Sequence, residues 1–192
     1  MKRTLYLIVL MLLAMSTYGQ DKLKDSRDGN TYSTIVVNGK VWMAENLRFK
    51  TNGSSFFEND ACNAVKYGAL YDWKTANNVC PEGWTLPSGS DYRDLMNYYD
   101  QEESRRKKSD GPSSIGVTFG GMQNYEGTYT EMDESAYCWT STEYDKEHAE
   151  YFSYMIITDN HVVDLSRPED INDIHGAEKN NKYSVRCVKS GK

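Results

Sequence analysis

The sequence predicts a single α+β domain. Three observations predict it: β-branched and aromatic segments stand near both ends of the chain, two helical patterns lie between them, and no internal repeat or low-complexity linker divides the chain. Strands and helices grouped in this way are typical of α+β domains with mixed or antiparallel sheets. The chain has 192 residues, which is enough for one domain with a substantial core.

The first residues have the features of a secretory signal peptide. A basic pair, Lys2 and Arg3, precedes an apolar stretch at residues 5–15, and small residues stand at the −3 and −1 positions of a cut after Gly19. The apolar stretch is shorter than the roughly 20 residues that span a bilayer. We therefore expect a signal peptide at residues 1–19 and a mature chain without a transmembrane segment, exported to the periplasm, the cell surface or the extracellular space.

The mature chain is expected to begin with a short tail. Residues 20–27 are polar and are predicted to be a flexible N-terminus, so the domain is assigned to residues 28–190. The formal net charge of the whole chain is −6, which argues against nucleic acid as a partner because phosphate contacts need Lys and Arg. Aromatic residues make up 12% of the chain, which argues against disorder.

The first strands form a predicted hairpin. Residues 32–37 are β-branched and aromatic, Asn38 and Gly39 follow, and residues 40–43 are again apolar. Two apolar segments around Asn-Gly predict a two-residue turn, because both turn residues must adopt a positive φ. Residues 47–70 have no regular pattern and are predicted to be irregular.

Two helices are predicted next. Asp72 can cap the first, whose residues Trp73, Ala76 and Cys80 would share one face before Pro81 ends it. The second begins after Ser88, which forms a capping-box pattern with Asp91. Its apolar stripe indicates a face packed on the core, and the residues of the stripe are Tyr92, Leu95, Met96 and Tyr99.

The second half of the chain is predicted to be mostly strands and loops. The charged segment at 101–110 indicates a helix end and a loop, and the glycines that follow predict a loop-rich region through Ser135. Residues 166–182 are polar and predict a long loop. The predicted strands cover residues 137–142, 151–158, 162–165 and 183–188.

The cysteine count predicts two disulfides. Cys62, Cys80, Cys138 and Cys187 all lie in the mature chain, and an even number in an exported protein indicates disulfide bonds. Four cysteines allow three pairings, among which the spacing does not choose. No C-x-x-C pair is present, so a zinc site is not predicted.

The sequence contains no recognisable catalytic, metal-binding or cofactor-binding motif. His148, His161 and His175 do not form an H-E-x-x-H pattern, and no G-x-S-x-G motif is present. We therefore expect no catalytic residue, no metal and no cofactor, and the chain is not predicted to be an enzyme. The alternative to the absence of a metal is calcium binding at one of two acidic clusters. The first cluster is Glu131, Asp133 and Glu134, and the second is Glu169, Asp170 and Asp173.

Two tyrosines are the candidate ligand-binding residues. Tyr125 and Tyr129 lie in a polar, glycine-containing segment where burial is not expected. Such rings can stack on sugars or anchor a protein interface. The alternative is that both rings pack beneath the loop.

Six ordered motifs resemble those of one family, the Fibrobacter succinogenes major paralogous domain. In this chain they are DGNTY at 28–32, VWMAENL at 41–47, YGALYDW at 67–73, CPEGWTLPS at 80–88, WTSTE at 139–143 and SVRCV at 184–188. Thr140 replaces the serine that the family usually has. The resemblance implies a secreted or surface-associated protein, found mainly in Bacteroidota and Fibrobacterota.

The resemblance also implies a C-type-lectin-like fold stapled by disulfides. That fold joins the first helix region to the last strand, which favours pairing Cys80 with Cys187 and leaves Cys62 with Cys138. The chain lacks the Glu-Pro-Asn, Gln-Pro-Asp and Trp-Asn-Asp tripeptides of calcium-dependent lectins. It also has no positional match to the reactive cysteine pair of the related formylglycine-generating oxidases.

These expectations combine into a non-enzymatic binding module, secreted or at the cell surface, whose ligand is a glycan or a cell-surface protein. Recognition is expected in the polar loops at 122–135 and 166–182, since loops on a rigid scaffold commonly bind ligands. The four tryptophans, Trp42, Trp73, Trp84 and Trp139, are expected in the core. The alternative is a structural or assembly component of the bacterial cell surface, and a secreted oxidase-related enzyme is the third hypothesis.

Overall fold

The computed structural model describes residues 22–105, 118–159, 162–166 and 176–191. The predicted signal peptide, the second acidic cluster, His161 and His175 lie outside these residues. The described residues form an α+β fold with two sheets and a few mostly short helices, as the sequence predicts.

The first sheet is antiparallel and has four strands. They are β1 (Lys22–Lys24), β2 (Thr31–Val37), β3 (Lys40–Met43) and β13 (Val188–Ser190), in the order β1–β2–β3–β13. The predicted hairpin between β2 and β3 is confirmed. Its turn residues Asn38 and Gly39 have φ values of 49° and 76°, as a tight two-residue turn requires.

The prediction of a flexible segment at 20–27 is wrong for its described residues. Strand β1 pairs with β2 from Lys22 to Lys24, and Leu23 packs against the core. Asp25 is fully buried and forms an ion pair of 2.6 Å with Arg27. The segment is ordered because backbone pairing and this ion pair satisfy its polar groups.

The second sheet is mixed. Its main strands are β4 (Ser54–Ser55), β5 (Leu70–Tyr71), β8 (Ser135–Glu143), β9 (His148–Asp159), β10 (Val162–Ser166) and β12 (Tyr183–Ser184). Their order is β10–β9–β8–β12–β5–β4. Strand β11 (Ala177–Glu178) pairs with β9, and β6 (Gly120–Gln123) pairs with both β8 and β7 (Tyr129–Met132). The pairings of β8 with β12 and with β6 are parallel.

Two of the strand and loop predictions are corrected. The predicted strand at 183–188 is two strands, because the chain leaves the second sheet after Ser184 and enters the first at Val188. The predicted loop-rich region before Ser135 contains the β6–β7 hairpin. Gly121 has a φ of 60°, and a Cβ there would meet the backbone of the partner strand at Thr130, so glycine permits this close pairing. The strands predicted at 137–142, 151–158 and 162–165 are confirmed.

The helices are α1 (Asn63–Tyr67), α2 (Trp73–Ala76) and α3 (Gly89–Arg105), with a 3₁₀ turn at Phe57–Asn59. The Asp72 side chain caps α2 by accepting a hydrogen bond of 2.8 Å from the Thr75 backbone N–H. This helix ends at Ala76, so the prediction that Cys80 lies on its face is wrong. The capping box of α3 is confirmed, since Ser88 and Asp91 each accept from the other's backbone N–H.

The core has two parts on the two faces of β8. Trp139 belongs to the larger part, together with Tyr71 and Tyr183. Cys138 faces the other way and packs with Tyr92 and Leu95 of α3 and with Trp42 of the first sheet. The tryptophans at 42, 84 and 139 are buried and Trp73 is half-buried, in agreement with the prediction for the core.

One disulfide joins the segment before α3 to the last part of the domain. Cys80 is bonded to Cys187, with 5.8 Å between the Cα atoms and 107 residues of separation. The expected pairing of Cys62 with Cys138 is wrong, because both thiols are free. Cys138 is buried in β8 against α3, whereas Cys62 is exposed just before α1. A thiol enclosed by the core cannot meet one on the surface.

Candidate functional site

The structure joins the two segments in which recognition was expected. Gln123 and Lys182 exchange two backbone hydrogen bonds of 3.1 and 2.7 Å. The Asn181 side chain then accepts a bond of 2.9 Å from the backbone N–H of Tyr125. The β6–β7 hairpin therefore rests on the strand-like segment that precedes β12. We call the residues 123–129 with Asn181 and Lys182 the hairpin-tip surface.

The tip of the hairpin is well ordered by its own hydrogen bonds. The Asn124 side chain accepts from the Thr128 backbone N–H at 2.8 Å, and the Gln123 amide donates to the Gly127 carbonyl at 3.1 Å. Gln123 also accepts from the Ser55 hydroxyl at 3.1 Å, which fastens the hairpin to β4. A loop with this many internal bonds presents its exposed side chains on a fixed backbone.

The two candidate tyrosines have different surroundings. The Tyr125 side chain is 59% exposed at the tip. The Tyr129 ring packs at 5.2 Å against Phe57, and its hydroxyl donates to the Asn59 side chain at 3.1 Å. Tyr125 is therefore available to a ligand, whereas Tyr129 mainly packs against the 3₁₀ turn, as the alternative interpretation holds.

The structure reveals a tyrosine–glutamate cluster that sequence reasoning missed. It consists of Tyr137, Tyr151, Tyr183 and Glu131. The three tyrosine ring centres are 5.1 to 5.9 Å apart, and the Tyr137 hydroxyl donates to the Glu131 carboxylate at 2.6 Å. These residues come from β8, β9, β12 and β7, so no local pattern could group them. The sequence offered one signal: Tyr137 and Trp139 are two residues apart in a predicted strand and therefore lie on the same face.

The aromatic rings of the cluster connect the surface to the core. Tyr183 is buried and stacks on both Trp139 and Tyr137, at 4.4 and 5.2 Å. Tyr137 and Tyr151 are half-buried. Burial raises the pKa of Tyr151, and the Glu131 carboxylate raises it further. The same two causes raise the pKa of Tyr137, and burial is the main cause that raises the pKa of Tyr183.

The acidic residues near this cluster do not converge. Asp133 accepts hydrogen bonds from Lys66 and from the Tyr67 hydroxyl, at 2.9 and 2.7 Å, whereas Glu131 bonds to Tyr137. Among the described residues, no group of three or more His, Cys, Asp or Glu side chains could hold a metal ion. His148 instead bonds to the Asp145 carboxylate at 2.9 Å.

No helix in the described ranges is long and apolar enough to cross a membrane.

Neither free thiol has the surroundings of a reactive cysteine. The Asp60 side chain raises the pKa of the exposed Cys62 thiol through a hydrogen bond and its charge. Burial raises the pKa of Cys138. A raised pKa lowers the fraction of thiolate, which is the nucleophilic form.

Comparison with known proteins identifies the family of the chain. No curated protein and no solved structure matches it. One family model does, and it covers most of the chain, from within β2 into β13. The match includes the second sheet, the disulfide and the hairpin-tip surface, and it includes the first sheet without β1 and the start of β2. Over residues 35–189 the chain belongs to the Fibrobacter succinogenes major domain family.

Proposed function

We propose that the protein is an exported, non-enzymatic binding module that recognises a glycan or a cell-surface protein through its hairpin-tip surface. The observation that carries the proposal is the exposed Tyr125 ring on a tip whose backbone is fixed by Asn181. Binding is favoured when a large ring is already held in place, because little conformational entropy is then lost.

The fold is proposed to be C-type-lectin-like. The Cys80–Cys187 disulfide supports this, since it joins the segment before α3 to the end of the domain. The sequence WTLPS leads directly into α3, as in the relatives that the motifs resemble. An experimental structure compared with C-type lectins would test this assignment.

Export is supported by the N-terminal pattern and by the disulfide, because such bonds persist in oxidising compartments. The non-enzymatic assignment is supported by the raised pKa values of both free thiols. N-terminal sequencing of the protein from its native cell should find a mature chain that begins at Gln20. A chain that retains Met1 would contradict export through this signal.

The test of binding is a glycan and surface-protein array probed with the oxidised mature protein, in calcium and in chelator. We expect saturable binding that persists in chelator. The affinity should fall at least tenfold in Tyr125→Ala. Tyr144→Ala is the matched control, because Tyr144 is also 59% exposed but lies in the connection between β8 and β9. Equal losses in both variants, or no binding by folded protein, would contradict the proposal.

A further inference from the structure

The tyrosine–glutamate cluster combines three features that favour positive charge. The Glu131 carboxylate accepts one hydrogen bond, from Tyr137, and forms no ion pair among the described residues. Each tyrosine ring has a negative face. A phenol oxygen can also accept a hydrogen bond from an ammonium group.

Strand pairing holds Glu131 in an uncommon backbone conformation. Glu131 has a φ of 63°, and Asp133 has a φ of 65°. Residues other than glycine rarely adopt this left-handed region, because it is strained for them. The strain persists because Glu131 lies on β7, which pairs with β6 on both sides of it, at Thr130 and Met132.

From these contacts we propose that the tyrosine–glutamate cluster binds an organic ammonium group, carried by a lysine side chain or by an amino sugar. The inference rests on the proposed binding function and names the chemistry of its ligand. Glu131, Tyr137 and Tyr151 are all half-buried, so each of these residues keeps part of its surface in contact with solvent. An ammonium group there gains both a cation–π contact and an ion pair.

A neutral sugar fits the same cluster less well. It could stack on an open ring, but covering Glu131 would remove water from a charge without supplying an opposite one, which is costly. An ammonium ion supplies that charge. The cluster should therefore distinguish glucosamine from N-acetylglucosamine, which have the same ring and differ in charge.

The test is a titration of the oxidised mature protein followed by NMR of its tyrosine rings. The probes are Nα-acetyl-lysine methylamide, glucosamine and neutral N-acetylglucosamine. We expect saturable shifts with at least one of the two cations, weakened at least fivefold by 0.5 M salt, and little response to the neutral sugar. Which cation binds more tightly identifies the source of the ammonium group. Equal binding of the neutral sugar, or no response to either cation, would overturn the inference.

Variants locate the binding. Glu131→Gln should weaken cation binding at least tenfold, and Tyr151→Leu should weaken it through loss of a ring. Glu82→Gln is the matched control, because Glu82 is exposed and belongs neither to the cluster nor to the hairpin-tip surface, and it should bind as the wild type does. Circular dichroism checks that each variant is folded. Unchanged binding in folded Glu131→Gln, or an equal loss in Glu82→Gln, would overturn the inference.

Tyr125→Ala separates this inference from the proposed function. It should abolish array binding while leaving the titration with small cations unchanged. A ligand found on the array and lost in Tyr125→Ala, together with no response to either cation, would overturn the inference and leave the binding module intact.

Discussion

The carboxylate of Glu150 occupies the space that a Cβ atom on Gly89 would need. Gly89 is the first residue of α3, and the buried Glu150 forms an ion pair of 3.1 Å with Arg93 one turn later. A carboxylate at a helix N-terminus also interacts favourably with the helix dipole. The glycine thus allows β9 to place a negative charge against the first turn of the helix.

We expect Gly89→Ala to destabilise the protein, because the added methyl group would displace the Glu150 carboxylate. Overpacking of this kind costs about 1–3 kcal/mol, which urea unfolding would measure. The same change should cost less in a Glu150→Ala background. Equal costs in the two backgrounds would show that the carboxylate is not the cause.

Asp91 should make the stability of the protein pH-dependent. Burial pushes the pKa of Asp91 upward, but hydrogen bonds from Lys40 and Ser88 outweigh it and lower the pKa. The stabilisation is therefore present above the unfolded value of about 3.9 and is lost as pH falls through the lower folded pKa. Asp91→Asn should cost about 1 kcal/mol at pH 7 and progressively less below pH 4.

Unfolding at pH 7 and at pH 3 would measure this difference. Asp94→Asn is the control, since Asp94 is an exposed residue on the same helix and should have little effect at either pH. A loss in Asp91→Asn that stays constant with pH would contradict the ionic role.

Thiol labelling should modify one accessible cysteine in the native, oxidised protein and two cysteines after unfolding without reductant. Cys62 is exposed and Cys138 is buried, so a maleimide reaches only the first until the sheet opens. Mass spectrometry of the labelled peptides identifies the residues. A native protein without any free thiol would mean that Cys62 and Cys138 are joined after all.

Removal of the disulfide should lower stability substantially. The bond closes a loop of 107 residues, for which the chain-entropy model gives about 4 to 5 kcal/mol. The double variant Cys80→Ser with Cys187→Ser should show this loss in chemical denaturation. Reductant should no longer change the stability of this variant. A double variant as stable as the oxidised wild type would contradict the expectation.

Asn46 is expected to be a structural residue of its motif. It is buried, donates to the Tyr67 carbonyl and the Ser184 hydroxyl, and accepts from Arg186 at 3.0 Å. Asn46→Ala should cost at least about 1–3 kcal/mol, since buried partners then lose a hydrogen bond. Thermal unfolding would measure it, and Asn77→Ala on the exposed end of α2 should have a much smaller effect.

Sequence reasoning succeeded where the cause of a structure is local. Asn38 and Gly39 determine their turn through positive φ values, and the spacing from Tyr92 to Tyr99 identifies the face of α3 that packs on the core. The motif resemblance identified the family and the Cys80–Cys187 bond, but the second disulfide followed from elimination alone. Pairing by elimination ignores burial, and Cys138 is enclosed by α3.

The features that were missed depend on contacts between distant segments. The break between β12 and β13 arises because Ser184 pairs with Leu70 and Val188 pairs with Trp42, which are partners in different sheets. The tyrosine–glutamate cluster likewise requires the neighbouring positions of four strands. Periodicity describes one strand at a time and carries no information about such neighbours.

The position of β12 and β13 has a consequence for synthesis. Tyr183 and Ser184 fill the gap between β5 and β8, and Val188–Ser190 complete the edge beside β3. A nascent chain on the ribosome that ends before residue 183 can therefore finish neither sheet and cannot form its disulfide. Folding must therefore wait for the last segment, and premature termination just before residue 183 would leave unpaired edges at β3, β5 and β8, which are prone to aggregation.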